Sequence, residues 1–287
     1  MAAVTTAATP APARAPRSSK RPGGPVRWVR ERIIPIIGSL VLLYMFVPIF
    51  VVVLFSFNDP AGRTNYVWQG FTTNAWTNLC DVGGMCDALK LSLVIGVLAT
   101  LGSVALGTLV AFAIGRYRFR GRSATNLLIF MPMATPEVVM GSSLLTWFVT
   151  LSFARGTVTI LIAHIMFCLS FVVVTVKARI ASLDPRLEQA AMDLYANERT
   201  TFWRVTFPLV IPGIVGASLL AFSLSFDDFI VTNFNSGSTV TFPMFVWGAA
   251  QRGTPPQINV VGSLMFFVSL AIVLIGQIVQ RRRARKA

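Results

Sequence analysis

The chain has 287 residues, is 54% hydrophobic and only 13% charged, and carries a formal net charge of +14. This balance excludes an ordinary soluble domain and points to an all-helical polytopic membrane protein. In a soluble protein the positive excess would suggest nucleic acid, but membrane proteins collect Lys and Arg in their cytoplasmic loops, so no nucleic-acid partner is expected. One histidine and three cysteines argue against a His-built metal site and a disulfide scaffold.

Residues 1–32 open with MAAVTTAATPAPARAPRSSKRPGGPVRWVR, rich in Ala, Pro, Gly and Arg without apolar period. They read as a disordered basic cytoplasmic tail that anionic lipid would attract. Six apolar runs of bilayer-spanning length follow, over 33–57, 89–115, 124–151, 157–177, 209–232 and 259–280, making 33–280 the transmembrane domain. The first run is too long for a signal peptide and lacks a small-residue cleavage site, so it reads as a retained anchor.

Between the first two spans lie FSFNDPAGRTNYVWQGFTTNAWTNL and then Cys80 and Cys86, separated by a Gly-Gly pair. A disulfide is chemically permitted there on the outer side, and two free thiols are the alternative. The third span holds MPMATPEVVMGSSLL, in which Pro132 and Pro136 should bend the helix just before Glu137. At 1.5 Å per residue, Glu137 sits about 20 Å from the inner boundary, past the middle of the core. In the fourth span, His164 reads as a satisfied core residue rather than a proton relay, and Cys168 as packing.

The loop 177–208 is a different kind of sequence. Asp184 and Pro185 make a capped helix start, and Leu183, Leu187, Ala190, Ala191 and Leu194 then recur at helical spacing as one apolar stripe. Asn197 caps a second short helix carrying Phe202 and Val205, which Pro208 should end. The fifth span closes on LSFDDFIVTNFNSGS, placing Asp227 and Asp228 about 27–29 Å along the helix, near its outer end. Ionisable groups inside a span cost about 2.5–3.5 kcal/mol each, so they usually face a cavity or a partner. Glu137, Asp227 and Asp228, with no Lys or Arg in the interior of a span to pair them (Lys90 and Lys177 stand at span edges), suit a path for a polycation, with Ser225 a weaker lining residue. Adjacent helical residues point about 100° apart, so one of the two aspartates should line that path. The segment FPMFVWGAAQRG beyond is amphipathic and could line a gate or lie among headgroups. After the last span, 281–287 form a basic tail.

With both termini placed in the cytoplasm, 21 of the 25 Lys and Arg residues fall on that side, in the two tails and the 116–123 and 177–208 loops. The asymmetry decides the expected orientation.

The 177–208 loop resembles the coupling loop of ABC importer permeases, whose motif runs Glu-Ala-Ala, a later Gly, then Leu-Pro. Here the matching positions are Gln189, Ala190, Ala191, Asp193, Tyr195, Ala196, Phe207 and Pro208, with Glu188 beside Gln189. The resemblance implies a six-span fold of the type I ABC importer permease kind and docking of this loop on a cytoplasmic ATPase. Tyr195 stands in place of glycine; a left-handed backbone there would cost about 1–2 kcal/mol. The segments quoted from residues 55–79, 131–145, 224–238 and 242–259 together resemble the second membrane subunit of spermidine/putrescine importers. That implies a homologous permease partner, two ABC ATPase subunits, an external polyamine-binding protein and a bacterial inner-membrane location. No cofactor is expected on this chain; ATP and Mg belong to the partner ATPase, since no G-x-x-x-x-G-K-[ST] loop is present. The competing readings are an ABC permease for another solute and a gradient-driven cation transporter.

Overall fold

The computed structural model describes residues 25–62 and 64–284. Among these the chain is helices and loops, with one isolated bridge between Asn58 and Phe71. In chain order the helices are α1 (Pro25–Phe55), α2 (Asn74–Thr77), α3 (Met85–Arg116), α4 (Arg122–Ala134), α5 (Glu137–Thr150) and α6 (Thr157–Ala181). They continue as α7 (Arg186–Asp193), α8 (Glu198–Thr201), α9 (Phe207–Asp227), α10 (Ile230–Asn235), α11 (Phe242–Arg252) and α12 (Pro256–Ala284). Residues up to Val51 form one unit and those from Val52 a second. Among the described residues five helical runs are long and apolar enough to cross a bilayer, and a bent pair makes six if counted as one span.

Four expectations need correction. The basic tail does not stay irregular to residue 32, because α1 begins at Pro25, where proline at a first turn loses no hydrogen bond. The rest of that tail, 1–24, and the final residues 285–287 lie outside the described residues. The third span is not one bent rod: α4 and α5 meet at 107°. Pro136 has no N–H to give and drives Thr135 into extended backbone, ψ 132°, whereas Pro132 sits inside α4 without breaking it. The fifth span stops at Asp227 and restarts as α10. Finally, Pro208 does not end the second loop helix. A π-turn over Phe202–Thr206 carries α8 directly into α9, with the Phe207 amide bonded to the Phe202 carbonyl. The wider turn makes room for the proline ring at the start of α9.

The core of the second unit is the packing of α3, α6 and α9. Val172, Val173, Val176, Ala217 and Ala221 are buried there, and Phe167 and Cys168 join them. Close approach depends on missing side chains: a Cβ on Gly107 would lie 2.7 Å from Val172 Cγ1, and one on Gly102 would lie 2.8 Å from Ile165 Cδ1. Lipid offers no hydrophobic drive between helices, so such contact is where their association energy comes from. A second cluster, Met85, Phe242, Ile258 and Val261, holds α11 and α12 near the start of α3. The loop before α2 is fixed by two buried asparagines: Asn58 Nδ2 donates to Asn65 Oδ1 (2.6 Å) and to the Val67 carbonyl (2.8 Å), and Asn65 Nδ2 donates to the Phe55 carbonyl (2.8 Å). Cys80 and Cys86 are bonded as a disulfide, with Cα atoms 5.4 Å apart.

Candidate functional site

Two places carry the residues singled out by sequence, at opposite ends of α9. The first is the loop between α6 and α9. Asp184 Oδ1 accepts from the Arg186 amide (2.9 Å), and Asn197 Oδ1 accepts from the Thr200 amide (2.8 Å), so both expected caps are in place. Of the apolar stripe, Leu183 packs on the core, while Leu187 and Leu194 are exposed, Leu194 at 82%. Gln189, Ala190 and Asp193 are exposed as well, with Ala191 and Ala196 half-buried. Glu188 behaves differently. Its carboxylate forms a bidentate pair with Arg116 at the end of α3, one contact at 2.8 Å, and also accepts from Thr206 Oγ1 in the π-turn. It fastens the loop to two core helices, and Gln189 beside it is the side chain left outside.

The turn after α7 is left-handed at Tyr195, φ 64°. The Ala196 amide reaches back to the Ala191 carbonyl (3.1 Å) and the Tyr195 amide to Met192 (3.0 Å), the paired bonds of a Schellman turn, whose left-handed position is usually glycine. Tyr195 is 100% exposed, so nothing in the chain repays the strain. Tyr195→Gly is expected to stabilise the turn by about 1 kcal/mol, read as slower amide exchange over residues 186–201. Unchanged exchange would show the turn unstrained.

The second place is the break between α9 and α10. Asp228 is buried and extended, ψ 121°. Its carboxylate accepts from the amides of Val231 (3.3 Å) and Thr232 (2.8 Å) and from Thr232 Oγ1 (2.8 Å). It thereby serves the free N–H groups of a buried helix start. His164, from α6, closes the network, with Nε2 at 2.8 Å from Thr232 Oγ1 and 3.3 Å from Asp228 Oδ2, and Nδ1 at 2.7 Å from Ser225 Oγ. The tautomer follows from the proton count. Thr232 spends its only proton on Asp228, so Nε2 must carry the hydrogen facing Thr232, and in the neutral ring Nδ1 accepts from Ser225. His164 is thus a satisfied interior residue, as expected.

Ser225 (4% exposed) and Asp228 (8%) are turned into the chain toward α6 and do not line an open surface; each is held there by the one histidine. Asp227, the neighbour, is exposed. It borders a cavity shared with Phe226, Phe229, Phe242, Val246 and Trp247. Glu137 is exposed at the first position of α5, and α5 packs on α10 through Gly141, where an added Cβ would lie 2.8 Å from Phe234 Cδ2. Asn235 Nδ2 also reaches the Gly141 carbonyl (3.3 Å). The two broken helices therefore share an interface. The partner of Asp228 was the residue missed by reading the sequence: a lone mid-span histidine in a chain with unpaired mid-span acids was the available signal. Among the described residues no group of three or more His, Cys, Asp or Glu could hold a metal ion.

Comparison with known proteins agrees with this architecture. The binding-protein-dependent transport system inner membrane component family matches residues 103–287. The spermidine/putrescine transport system permease protein PotC of Haemophilus influenzae is 34% identical over 244 residues, covering 85% of this chain and 94% of that protein. The putrescine transport system permease protein PotI of Escherichia coli is 36% identical over 230 residues, covering 77% and 81%. Among solved structures, a bacterial ABC transporter involved in the import of the acidic polysaccharide alginate matches with a TM-score of 0.63 at 16% identity, over 90% of this chain and 98% of that one; this is a likeness of fold. A family match across more than half of the sequence, supported by relatives aligned over most of their length, makes this chain a member of the inner membrane components of binding-protein-dependent transport systems.

Proposed function

We propose that this chain is a membrane-spanning subunit of an ATP-driven importer that moves polyamines such as spermidine and putrescine into the cell. The observation that carries the substrate class is Asp227, an exposed carboxylate at the end of an apolar helix, in a chain 34–36% identical to permeases of spermidine/putrescine and putrescine systems. A carboxylate at the outer end of an apolar helix is placed to meet an entering cation, and Glu137 at the α4–α5 break supplies a second along the way. In this reading both termini and the α7–α8 loop face the cytoplasm. Gln189, Ala190, Ala191, Asp193 and Ala196 form the surface that docks on a separate ABC ATPase, the small alanines allowing close approach. A homologous permease completes the pore, an external polyamine-binding protein delivers substrate, and two ATPase subunits consume MgATP. Closure of those subunits pushes on α7, and the Glu188–Arg116 pair passes the push to α3.

The experiment is uptake of labelled spermidine into vesicles containing the whole complex. Uptake that requires ATP and the binding protein is expected. Uptake that persists without nucleotide, driven by a gradient, would overturn the reading.

A further inference from the structure

We propose that the Cys80–Cys86 disulfide is a reversible thiol-exchange site that locks α11 in its working position, so that import runs with the bond closed and falls when a dithiol outside the cell opens it. The consequence for import rests on the transport reading above; the lock itself does not.

The two cysteines lie six positions apart, one ahead of α3 and one in its first turn. Cys80 is exposed and Cys86 half-buried, so a small thiol can reach the bond; Cys168, the remaining cysteine, is buried. Between the pair stand Gly83 and Gly84, the latter left-handed at φ 79°, and two glycines leave an open loop free to take many shapes. Closing so short a loop restricts the open chain by about fiftyfold in the loop-entropy account. The closed ring supplies the start of α3: the Met85 amide donates to the Val82 carbonyl (3.1 Å) and the Ala88 amide to the Gly84 carbonyl (3.0 Å).

The ring is also a wall for α11. Val82 within it and Leu79 beside it pack with Met85, Phe242, Ile258 and Val261, in the cluster that takes in Phe245 and Ala249 of α11. That helix has two moorings. At its start the Phe242 amide donates to Ser92 Oγ (2.8 Å), about 9 Å along α3 from Cys86. Farther on, Phe245, Ala249 and Arg252 face the ring across a cleft of about 580 Å3 shared with Asp81, Val82 and Gly83. The first mooring belongs to α3 and survives reduction. The second depends on where Val82 is held, and the cleft gives a loosened ring room to withdraw it. The turns of α11 that lead through Gly253 toward α12 then lose their support.

In the exchange, a thiolate of the dithiol attacks Cys80 Sγ, and Cys86 leaves and takes up a proton. The reagent's second thiolate then displaces Cys80, which is protonated in turn. Each cysteine gains a hydrogen, and the dithiol is oxidised to its own disulfide.

The test uses the complete complex in vesicles, with binding protein, ATP and labelled spermidine, before and after dithiothreitol, while mass mapping follows the bond. Opening it should raise amide exchange at Met85, Ala88 and residues 245–252 by about tenfold or more, and lower the initial uptake rate by about threefold or more. Cys80→Ser/Cys86→Ser should match the reduced parent and ignore dithiothreitol. Unchanged exchange at 245–252 with the bond open would overturn the lock. Faster exchange there with unchanged uptake would overturn its hold on import, and so would uptake that dithiothreitol lowers equally in the serine variant. If that variant does not assemble, exchange and uptake in the reduced parent decide. A parental complex that moves no spermidine overturns the functional reading, and exchange at 245–252 still decides the lock.

Discussion

Asp227→Asn is expected to leave the complex assembled and to lower ATP-dependent spermidine uptake at least tenfold. The side chain is exposed and holds no interior group in place, so the isosteric amide changes charge and little else. A hydrogen bond to a charged group contributes about 1.5–3 kcal/mol, which is about ten- to more than a hundredfold in an equilibrium constant. The measurement is initial uptake rate against binding-protein concentration, with complex abundance followed by immunoblot. Full uptake by the amide variant would remove Asp227 from the path, and loss of the complex itself would make it a structural residue.

The residue beside it should behave in the opposite way. Asp228→Ala removes the acceptor of two amides, one hydroxyl and the His164 ring in the interior of the chain. A buried donor left without an acceptor costs about 1–3 kcal/mol, and several lose theirs together here, so a total of about 3–5 kcal/mol is expected. For a chain of this size that corresponds to about 6–20 °C in melting temperature. Thermal unfolding of the purified complex in detergent checks it. Asp228→Asn, which keeps one carbonyl acceptor, should fall between parent and alanine. An alanine variant that melts like the parent would show that the α9–α10 break is held by something else.

The contrast between the two aspartates shows how far sequence can reach. Neighbouring side chains point different ways, but Asp228 already lies past the end of α9 in extended backbone, so helical period does not say which of the pair turns inward. Which one is decided by His164, more than sixty residues earlier and on another helix. No period within α9 could reveal it, because a helix that is apolar on every side carries no facing signal. The inward turn of Ser225 onto the same histidine was hidden for the same reason. Local features were legible: the caps at Asp184 and Asn197 and the bend before Glu137 each depend on side chains within a few residues, whereas the left-handed turn at Tyr195 was suggested only by the resemblance, since tyrosine itself gives no such signal. The spans were legible because twenty apolar residues need no partner to be identified. What stayed hidden was long-range. The passage of α8 through a π-turn into α9 depends on how a proline is accommodated, and the inward role of Glu188 depends on Arg116, brought near by the packing of α3 on α6.

The Glu188 clamp, together with the glycine contacts of α3, has a mechanical consequence. Because Val172 and Ile165 sit in notches that only glycine leaves open, α3 and α6 cannot slide past one another by less than a whole tooth of the mesh. Since Glu188 grips both the end of α3 and the turn leading into α9, a thrust on α7 arrives at those helices together. Force applied at the loop is therefore shared among α3, α6 and α9, and Asp227 sits at the far end of the helix that receives it.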